Sequence, residues 1–382
     1  MLAKIYKHSG SGTMRKPFCV VPFVEAFSGY ESPWRNCCAA DPQITSLPDQ
    51  TFEQWQQDHR LQSFRQRLQD QTWQPECHKC QRQEQESGHS FRTAVNDAVD
   101  ITDTFGVWPS RWNLKFGNIC NLACWTCNEQ ASSVIAQHLR RVDLLPLGFQ
   151  DPEQEFQQQW PELQQAVLKS YDYHAVVTIT LVGGEPMYNR TVAKFLQHLL
   201  DLGLAARTRL EFHTNATHVN PALFAHRAWN HVCVFLSLDA VGARAEWLRY
   251  GSSWSDIERN IGFFHHVADY VEVHCTLSVL NIGDLAQLQQ FCDLKQLPLQ
   301  IGLLTEPDFM NLLCWPGDPA LLADPKGLAT PGGHYYYEQI GSQPDATAPA
   351  RLEQHFAKFG PVRGNLADRD PKLFHAIKVS KH

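Results

Sequence analysis

Short runs rich in Val, Ile, Thr and Phe alternate with longer helical stretches from about residue 110 onward. Several of these runs are apolar at consecutive positions, which is typical of strands buried on both faces of a parallel sheet. We predict six parallel strands joined by right-handed crossovers. The predicted strands are Asn113–Gly117, Ala175–Val182, Thr208–Thr214, His231–Leu238, Tyr270–Leu280 and Leu299–Leu304.

The stretches between the predicted strands carry the apolar spacing of helices. They lie near residues 128–141, 190–204, 220–229, 253–268 and 284–295. Five strand-then-helix units and a sixth strand indicate an α/β fold, either an open sheet or a partial (β/α)6 TIM-like barrel. In both arrangements, functional residues lie at the carboxyl ends of the strands.

Four other segments differ from this alternation. Residues 1–16 contain Gly10-Ser11-Gly12 and are predicted to be a flexible start. The Gln-rich stretch within 17–105 repeats large apolar residues at helical steps, and the acidic stretch 146–170 is predicted to be an exposed helix. Spaced prolines after 310 predict an irregular extension over 311–382, with one last helix at Arg351–Phe359.

Composition narrows the class of protein. Hydrophobic residues make up 43% of the 382 positions, enough for a full-sized core, and 40 acidic side chains outnumber 33 basic ones. The net charge of -7 argues against a nucleic-acid partner held on a broad basic face. No apolar run approaches the ~20 residues of a membrane span, so no membrane association is expected. The first residues lack the apolar region of a secretory signal, and a cytoplasmic location is expected.

The 12 cysteines are the unusual feature of the composition. Without an export signal, metal or redox cysteines are favoured over a disulfide framework. Three of them, Cys120, Cys124 and Cys127, fall immediately after the first predicted strand. Three thiolates on one loop can hold three irons of a four-iron four-sulfur cluster and leave the fourth iron open for chemistry. A structural zinc site is the alternative, but no fourth Cys or His follows at the usual spacing.

These residues resemble a known family. The spacing Cys120-x3-Cys124-x2-Cys127 resembles the cluster motif of radical S-adenosylmethionine (SAM) enzymes. Further matches follow in strand order over roughly residues 110–310. They are Gly183-Gly184-Glu185-Pro186 after the second strand, Thr214-Asn215 after the third, Ser237 and Asp239 after the fourth, Arg249 shortly beyond, and Asn281 after the fifth.

The resemblance implies a role for each match in holding SAM. The loop at 183–186, with Glu185, would contact its amino group, and Ser237 and Asp239 would reach its ribose and methionyl end. Arg249 would pair with its carboxylate, an interaction that suits the guanidinium fork. Asn215 would also line the SAM site, and Asn281 would lie near the adenine. The chain departs from the family at position 126, where Thr126 replaces a large apolar residue and Trp125 comes one place earlier.

The earlier cysteines form a second group. Cys19, Gly29, the pair Cys37-Cys38, a Trp-bearing helix and Cys77-x2-Cys80 resemble the auxiliary-cluster domains called SPASM and twitch. The implied ligands of a second four-iron four-sulfur cluster are Cys19, Cys37, Cys77 and Cys80, with Cys38 as the substitute for Cys37. Zinc at the same thiolates is the alternative. In the family this domain follows the barrel, whereas here it precedes it.

The resulting domain prediction is a flexible start at 1–16, a twitch-like domain at 17–105, a radical SAM partial barrel at 106–310 and an extension at 311–382. The implied activity is reductive cleavage of SAM to a 5′-deoxyadenosyl radical that takes hydrogen from a substrate carbon. The reductant would be a flavodoxin or ferredoxin.

The substrate class is the open part of this prediction. Oxidative modification or cross-linking of a peptide or protein is the first expectation, and oxidation of a small molecule such as an aminosugar is the second. A non-catalytic iron–sulfur electron carrier or scaffold is the alternative of another class. No catalytic acid or base is assigned. Conceivable substrate contacts are Arg92, Glu246, Glu306, Asp308 and Tyr335–Tyr337.

Overall fold

The computed structural model describes residues 18–28, 34–47, 49–70, 72–88, 90–99, 108–323, 331–363 and 366–380. The predicted flexible start at 1–16 and Gly29 lie outside these residues.

The described residues form one sheet of seven parallel strands, in which each strand pairs with the next one along the chain. The register of the first pair is Glu25 opposite Arg111, and that of the last is Thr276 opposite Gly302. The strands are β1 (Glu25–Phe27), β2 (Arg111–Lys115), β3 (Val177–Val182), β4 (Thr208–Thr214), β5 (His231–Ser237), β6 (Tyr270–Leu277) and β7 (Leu299–Leu303).

Helices lie before, between and after the strands along the chain. Within the described ranges, the α-helices before and between the strands are α1 (Val21–Val24), α2 (Phe52–Gln56), α3 (His59–Gln69), α4 (His78–Ser87), α5 (Phe91–Ala98), α6 (Ser133–Arg141), α7 (Pro152–Ser170), α8 (Arg190–Asp201), α9 (Gly242–Leu248), α10 (Trp254–Val267) and α11 (Leu285–Lys295). After the last strand come α12 (Pro331–Gln339), α13 (Ala348–Arg363), α14 (Leu366–Arg369) and α15 (Pro371–Val379). Short 3-10 turns lie at Pro75–Cys77, Ala205–Arg207, Pro221–Arg227, Ile282–Asp284, Asp308–Met310, Leu312–Cys314 and Pro319–Leu321.

The sheet is curved, because side chains on non-adjacent strands meet over one of its faces. Arg111 on β2 contacts Glu211 on β4 at 3.4 Å, and the rings of His213 on β4 and His274 on β6 lie 5.2 Å apart. Side chains facing the helices, such as Phe212 and Val234, are fully buried. A concave polar face and a convex apolar face under helices are the two sides of a partial barrel.

The α/β prediction with parallel strands in chain order is confirmed. All six predicted strands are present, within about three residues at each end. The structure adds β1, a three-residue strand from the cysteine-rich segment that pairs with β2 at the edge of the sheet. Its burial is complete at all three positions, so it shows no alternating pattern by which it could be recognised. The boundaries at 16, 105 and 310 stay predictions.

Two segments differ from their predicted character. The stretch 146–170 is helical as predicted, but α7 is not an exposed helix, because Phe156, Leu163 and Val167 are buried in the main core. The region after 310 is helical rather than irregular over most of its described length. Pro331 and Pro371 each stand at the first position of a helix, where a missing N–H is tolerated, so these prolines begin helices there.

None of the helices within the described ranges combines the length and the apolar character needed to cross a bilayer.

Candidate active site at the carboxyl ends of the strands

The three-cysteine loop follows β2 and lies against the segment after α9. The backbone N–H of Ala123 donates to the carbonyl of Tyr250 at 2.9 Å, and that of Trp125 donates to the carbonyl of Leu248 at 3.0 Å. Cys124 is buried, while Cys120 and Cys127 are half-buried. The middle of the cysteine loop, on both sides of Cys124, is therefore fixed by the fold.

The three thiols influence one another electrostatically. Burial, followed by the proximity of Cys124, raises the pKa of Cys120 to about 12. A hydrogen bond with the thiol of Cys127, followed by burial, raises the pKa of Cys124 well above its usual value, and the same bond lowers the pKa of Cys127. Three adjacent thiolates are stable only with a positive partner, which a bound iron cluster supplies. The donor set fits such a cluster.

The glycines after β3 allow this loop to touch the chain that leads to Cys120. Both have left-handed backbones, with φ of 90° at Gly183 and 54° at Gly184. A Cβ atom on Gly184 would lie 2.2 Å from the carbonyl oxygen of Ile119. The N–H of Glu185 donates to the same carbonyl at 2.8 Å. This loop therefore supports the cysteine loop directly, whatever it also binds.

Glu185 joins the loops after β3 and β4. Its Oε1 accepts from the hydroxyl of Thr214 at 2.7 Å, and its Oε2 accepts from the N–H of Asn215 at 2.6 Å. The side-chain amide of Asn215 then donates to Oδ1 of Asn121 at 3.1 Å. Burial raises the pKa of Glu185 to about 7, against these hydrogen bonds. Sequence analysis missed Asn121, whose position between two cysteines was its only signal.

The predicted residues after β5 and β6 also meet. Arg249 pairs with Asp239 at 2.8 Å, and Asn281 donates to the carbonyl of Asp239 at 3.0 Å and to that of Thr276 at 3.1 Å. Oδ1 of Asn281 accepts from the N–H of Ser278. Asn281 therefore shapes the turn after β6 through backbone contacts.

Arg249 has an open donor beside the cysteines. Its side chain is only 13% exposed, and among the described residues its buried Nε has no hydrogen-bond partner. Burial opposes its charge, but Asp239 and the thiols of Cys124 and Cys127 outweigh burial and raise its pKa. A buried guanidinium nitrogen without a partner is suited to a carboxylate ligand.

A half-buried aromatic group lies on the concave face, on the strands whose carboxyl ends carry the site. The rings of His213, Phe235 and His274 are 4.8–5.2 Å apart. Ser237, the next concave position on β5, is also half-buried and pairs in register with His274. Sequence analysis did not single out the three rings, because alternation within a strand does not show which positions face a lumen.

The N-terminal cysteines lie around a separate small pocket. Cys19, Cys37, Cys77 and Cys80 line it, together with apolar side chains that include Phe64 and Phe91. Cys38 is exposed and does not appear in the lining. The chain thus brings together the four predicted ligands, from segments up to 61 positions apart (Cys19 to Cys80).

The thiol of Cys37 is the more easily ionised member of the pair. A hydrogen bond from Cys38 lowers the pKa of Cys37, and the N–H of Ala39 donates to its sulfur at 3.3 Å. Burial raises the pKa of Cys77 to about 12 and, with the charge of Cys37, that of Cys19 well above its usual value. Within the described ranges, no three Cys, His, Asp or Glu side chains are grouped closely enough to hold a single metal ion.

Most of the conceivable substrate contacts have structural partners. Arg92 is buried and forms an ion pair with Glu84. Glu246 accepts from the N–H of Trp254 at 2.7 Å, and Asp308 pairs with Arg351 on the surface. Glu306 is exposed, and of the three tyrosines Tyr336 donates to the carbonyl of Ile301.

The chain resembles solved structures at low sequence identity. No family model matches the chain, and no curated protein matches it. Among solved structures, native anSMEcpe with bound AdoMet matches at 17% identity and a TM-score of 0.38, covering 52% of each chain. The same protein with AdoMet and the Cp18Cys peptide matches at 15% and 0.39, covering 67% of this chain and 62% of that one.

Streptococcus suis SuiB bound to the precursor peptide SuiA matches at 14% identity and a TM-score of 0.37, covering 84% of this chain and 65% of that one. The chain thus spans less than two thirds of the length of these structures.

Proposed function

We propose that this chain is a radical SAM enzyme with its cluster at Cys120, Cys124 and Cys127. The observation that carries the proposal is that the loops after successive strands meet at one place. Five loops that follow successive strands meet beside three cysteines, and the hydrogen bonds of Glu185, Asn215 and Asn121 tie three of those loops together. An iron–sulfur electron carrier needs the cysteines but has no need of the other loops.

Residues at the carboxyl ends of the strands would hold the carboxylate and the amino group of SAM. Arg249, with its open buried Nε, would bind the carboxylate while Asp239 keeps the guanidinium in place. The backbone of the loop at 183–186 would contact the amino group. When bound, the cluster and SAM supply reductive cleavage of a carbon–sulfur bond and a 5′-deoxyadenosyl radical that takes a hydrogen atom from substrate.

The substrate would enter the concave side of the sheet. Below the site, the rings of His213, Phe235 and His274 are half-buried, whereas side chains on the convex face are fully buried. Partial exposure on the concave face indicates space that a substrate group can occupy. We propose a peptide or protein as the substrate, modified by oxidation or cross-linking, since the N-terminal cysteines resemble auxiliary-cluster domains. Oxidation of a small molecule is the second candidate.

The test is metal content and SAM cleavage on anaerobically reconstituted protein. We expect about four irons per cluster and release of 5′-deoxyadenosine after SAM and dithionite are added. Cys124→Ser should abolish release, while Cys314→Ser, which changes a half-exposed cysteine outside both groups, should not. Bound iron without deoxyadenosine, with or without candidate peptides, would favour the electron carrier instead.

The N-terminal pocket would hold the second cluster through Cys19, Cys37, Cys77 and Cys80. Cys37→Ser should lower the iron content by about four per chain, because Cys37 lines the pocket. Cys38→Ser changes its exposed neighbour and should keep the iron. Equal losses in both variants would contradict the ligand assignment, and loss of one zinc in place of iron would make the pocket a structural zinc site.

A further inference from the structure

The C-terminal helix α13 contacts the cysteine loop directly. Arg363 Nη1 donates to the carbonyl of Cys124 at 3.1 Å, and His355 Nε2 lies 3.1 Å from the carbonyl of Trp125. Between them, the fully buried Trp125 packs on Phe356, with ring centroids 4.6 Å apart. Two neighbouring carbonyls of the cysteine loop are thus held by one helix that lies more than 200 positions later.

Arg363 is a buried cation without a negative partner in the described part of the chain. Its residue is 2% exposed, and no Asp or Glu there forms an ion pair with it. Its Nη2 has no hydrogen-bond partner among the same residues. The guanidinium lies over Phe359 at 4.0 Å and over Trp125 at 5.0 Å. Arg249, the other arginine at this loop, already has Asp239.

A buried charge is costly unless an opposite charge lies nearby. The guanidinium of Arg363 instead lies against the backbone of Cys124, whose thiol is one of the three proposed cluster ligands. A thiolate-bound cluster would place a negative charge where the guanidinium lacks one. The positive charge of Arg363 and the negative charge of a cluster at the three cysteines would therefore stabilise each other.

We propose that Arg363 is a positioning residue that makes the cluster at Cys120, Cys124 and Cys127 easier to reduce. The inference rests on the proposed function, because it needs that cluster. In the step concerned, the oxidised cluster gains one electron from a low-potential donor, no proton moves, and no bond forms or breaks. A fixed cation stabilises the more negative, reduced state, because charge, hydrogen bonding and burial set the potentials of iron–sulfur centres.

The test is a potentiometric titration of the full chain, reconstituted anaerobically and followed by electron paramagnetic resonance. Arg363→Gln and Arg363→Met should each lower the equilibrium constant for reduction at least tenfold, which is about 59 mV for one electron. Arg363→Lys keeps the charge and should stay near the wild-type potential. Arg351→Gln removes an exposed, ion-paired arginine from the same helix and should change nothing.

The outcomes separate the two proposals. A wild-type chain without a reducible cluster at the triad would refute the proposed function itself. A wild-type cluster with deoxyadenosine release, joined to unchanged potentials in Arg363→Gln and Arg363→Met, would overturn only the role of Arg363. If every variant including Arg363→Lys lost its iron while keeping a native circular dichroism spectrum, the residue would be structural, and the inference would also be wrong.

Discussion

At the scale of single residues, the site depends on close backbone contacts as much as on its polar side chains. Gly184 is the clearest case, because its missing side chain makes room for the backbone that leads to Cys120. From the sequence motif alone, this loop was expected to contact the amino group of a ligand. The structure shows that the room next to Gly184 is taken by the protein itself.

Replacing Gly184 by Ala should disturb the cysteine loop. The added Cβ would meet the carbonyl oxygen of Ile119 at 2.2 Å on a backbone with φ of 54°, so we expect a loss of about 1–3 kcal/mol in the free energy of unfolding. We also expect lower iron retention. Gly203→Ala is the matched control, since φ there is 68° but nothing lies within 4 Å. Urea unfolding and iron analysis check both, and equal effects would show that backbone strain alone is responsible.

Glu185 should make stability fall as pH rises. Its pKa is raised by burial to about 7 from an ordinary 4.5, so between these values the folded chain binds a proton that the unfolded chain has lost. Stability from this group is fully present below about pH 4.5 and is lost as pH rises through 7, by about 3 kcal/mol at most.

The measurement is urea unfolding of metal-free protein between pH 5 and 8, for wild type and Glu185→Gln. The variant cannot ionise at this position, so the difference in unfolding free energy between the two proteins should change across this range. A constant difference would contradict the assigned titration.

At the scale of elements, what could be predicted from the sequence was local. The six strands and the three-cysteine loop each lie within a short stretch whose residue types are sufficient to recognise it. The burial of α7 could not be read in the same way, because its Gln-rich composition is that of an exposed helix. Its apolar residues are few, and their burial becomes evident only from their packing against the sheet in the main core.

Phe156 tests the packing of α7. Its ring lies 4.9 Å from that of Phe116 at the end of β2, and the residue is 3% exposed. Phe156→Ala should cost about 3–5 kcal/mol, as for other buried aromatic truncations. Leu147→Ala, just before α7, removes a fully exposed side chain and should cost close to nothing. Thermal or urea unfolding measures both, and a neutral Phe156→Ala would mean that the helix does not cover the sheet.

At the scale of the whole molecule, the second hydrophobic core brings together parts that no local pattern connects. It contains Trp125 of the cysteine loop, Leu280 near the end of β6, and Phe356 and Ile377 of the C-terminal helices. The contact between His355 and Trp125 spans 230 positions. Proline spacing predicted an irregular extension here. The prediction was wrong because the C-terminal helices are stabilised by packing their apolar residues against the cysteine loop, a contact that the local sequence does not show.

The pairing of β1 with β2 has a consequence for the order of events during synthesis. It joins Glu25 to Arg111 across 86 positions, and parallel pairing over such a separation forms slowly. The ribosome releases the N-terminal segment first. Cys19, Cys37, Cys77 and Cys80 are therefore made well before the strand that docks their segment onto the sheet. During that interval their segment has no partner strand in the sheet, so we expect the four thiols to be more accessible then than in the folded chain.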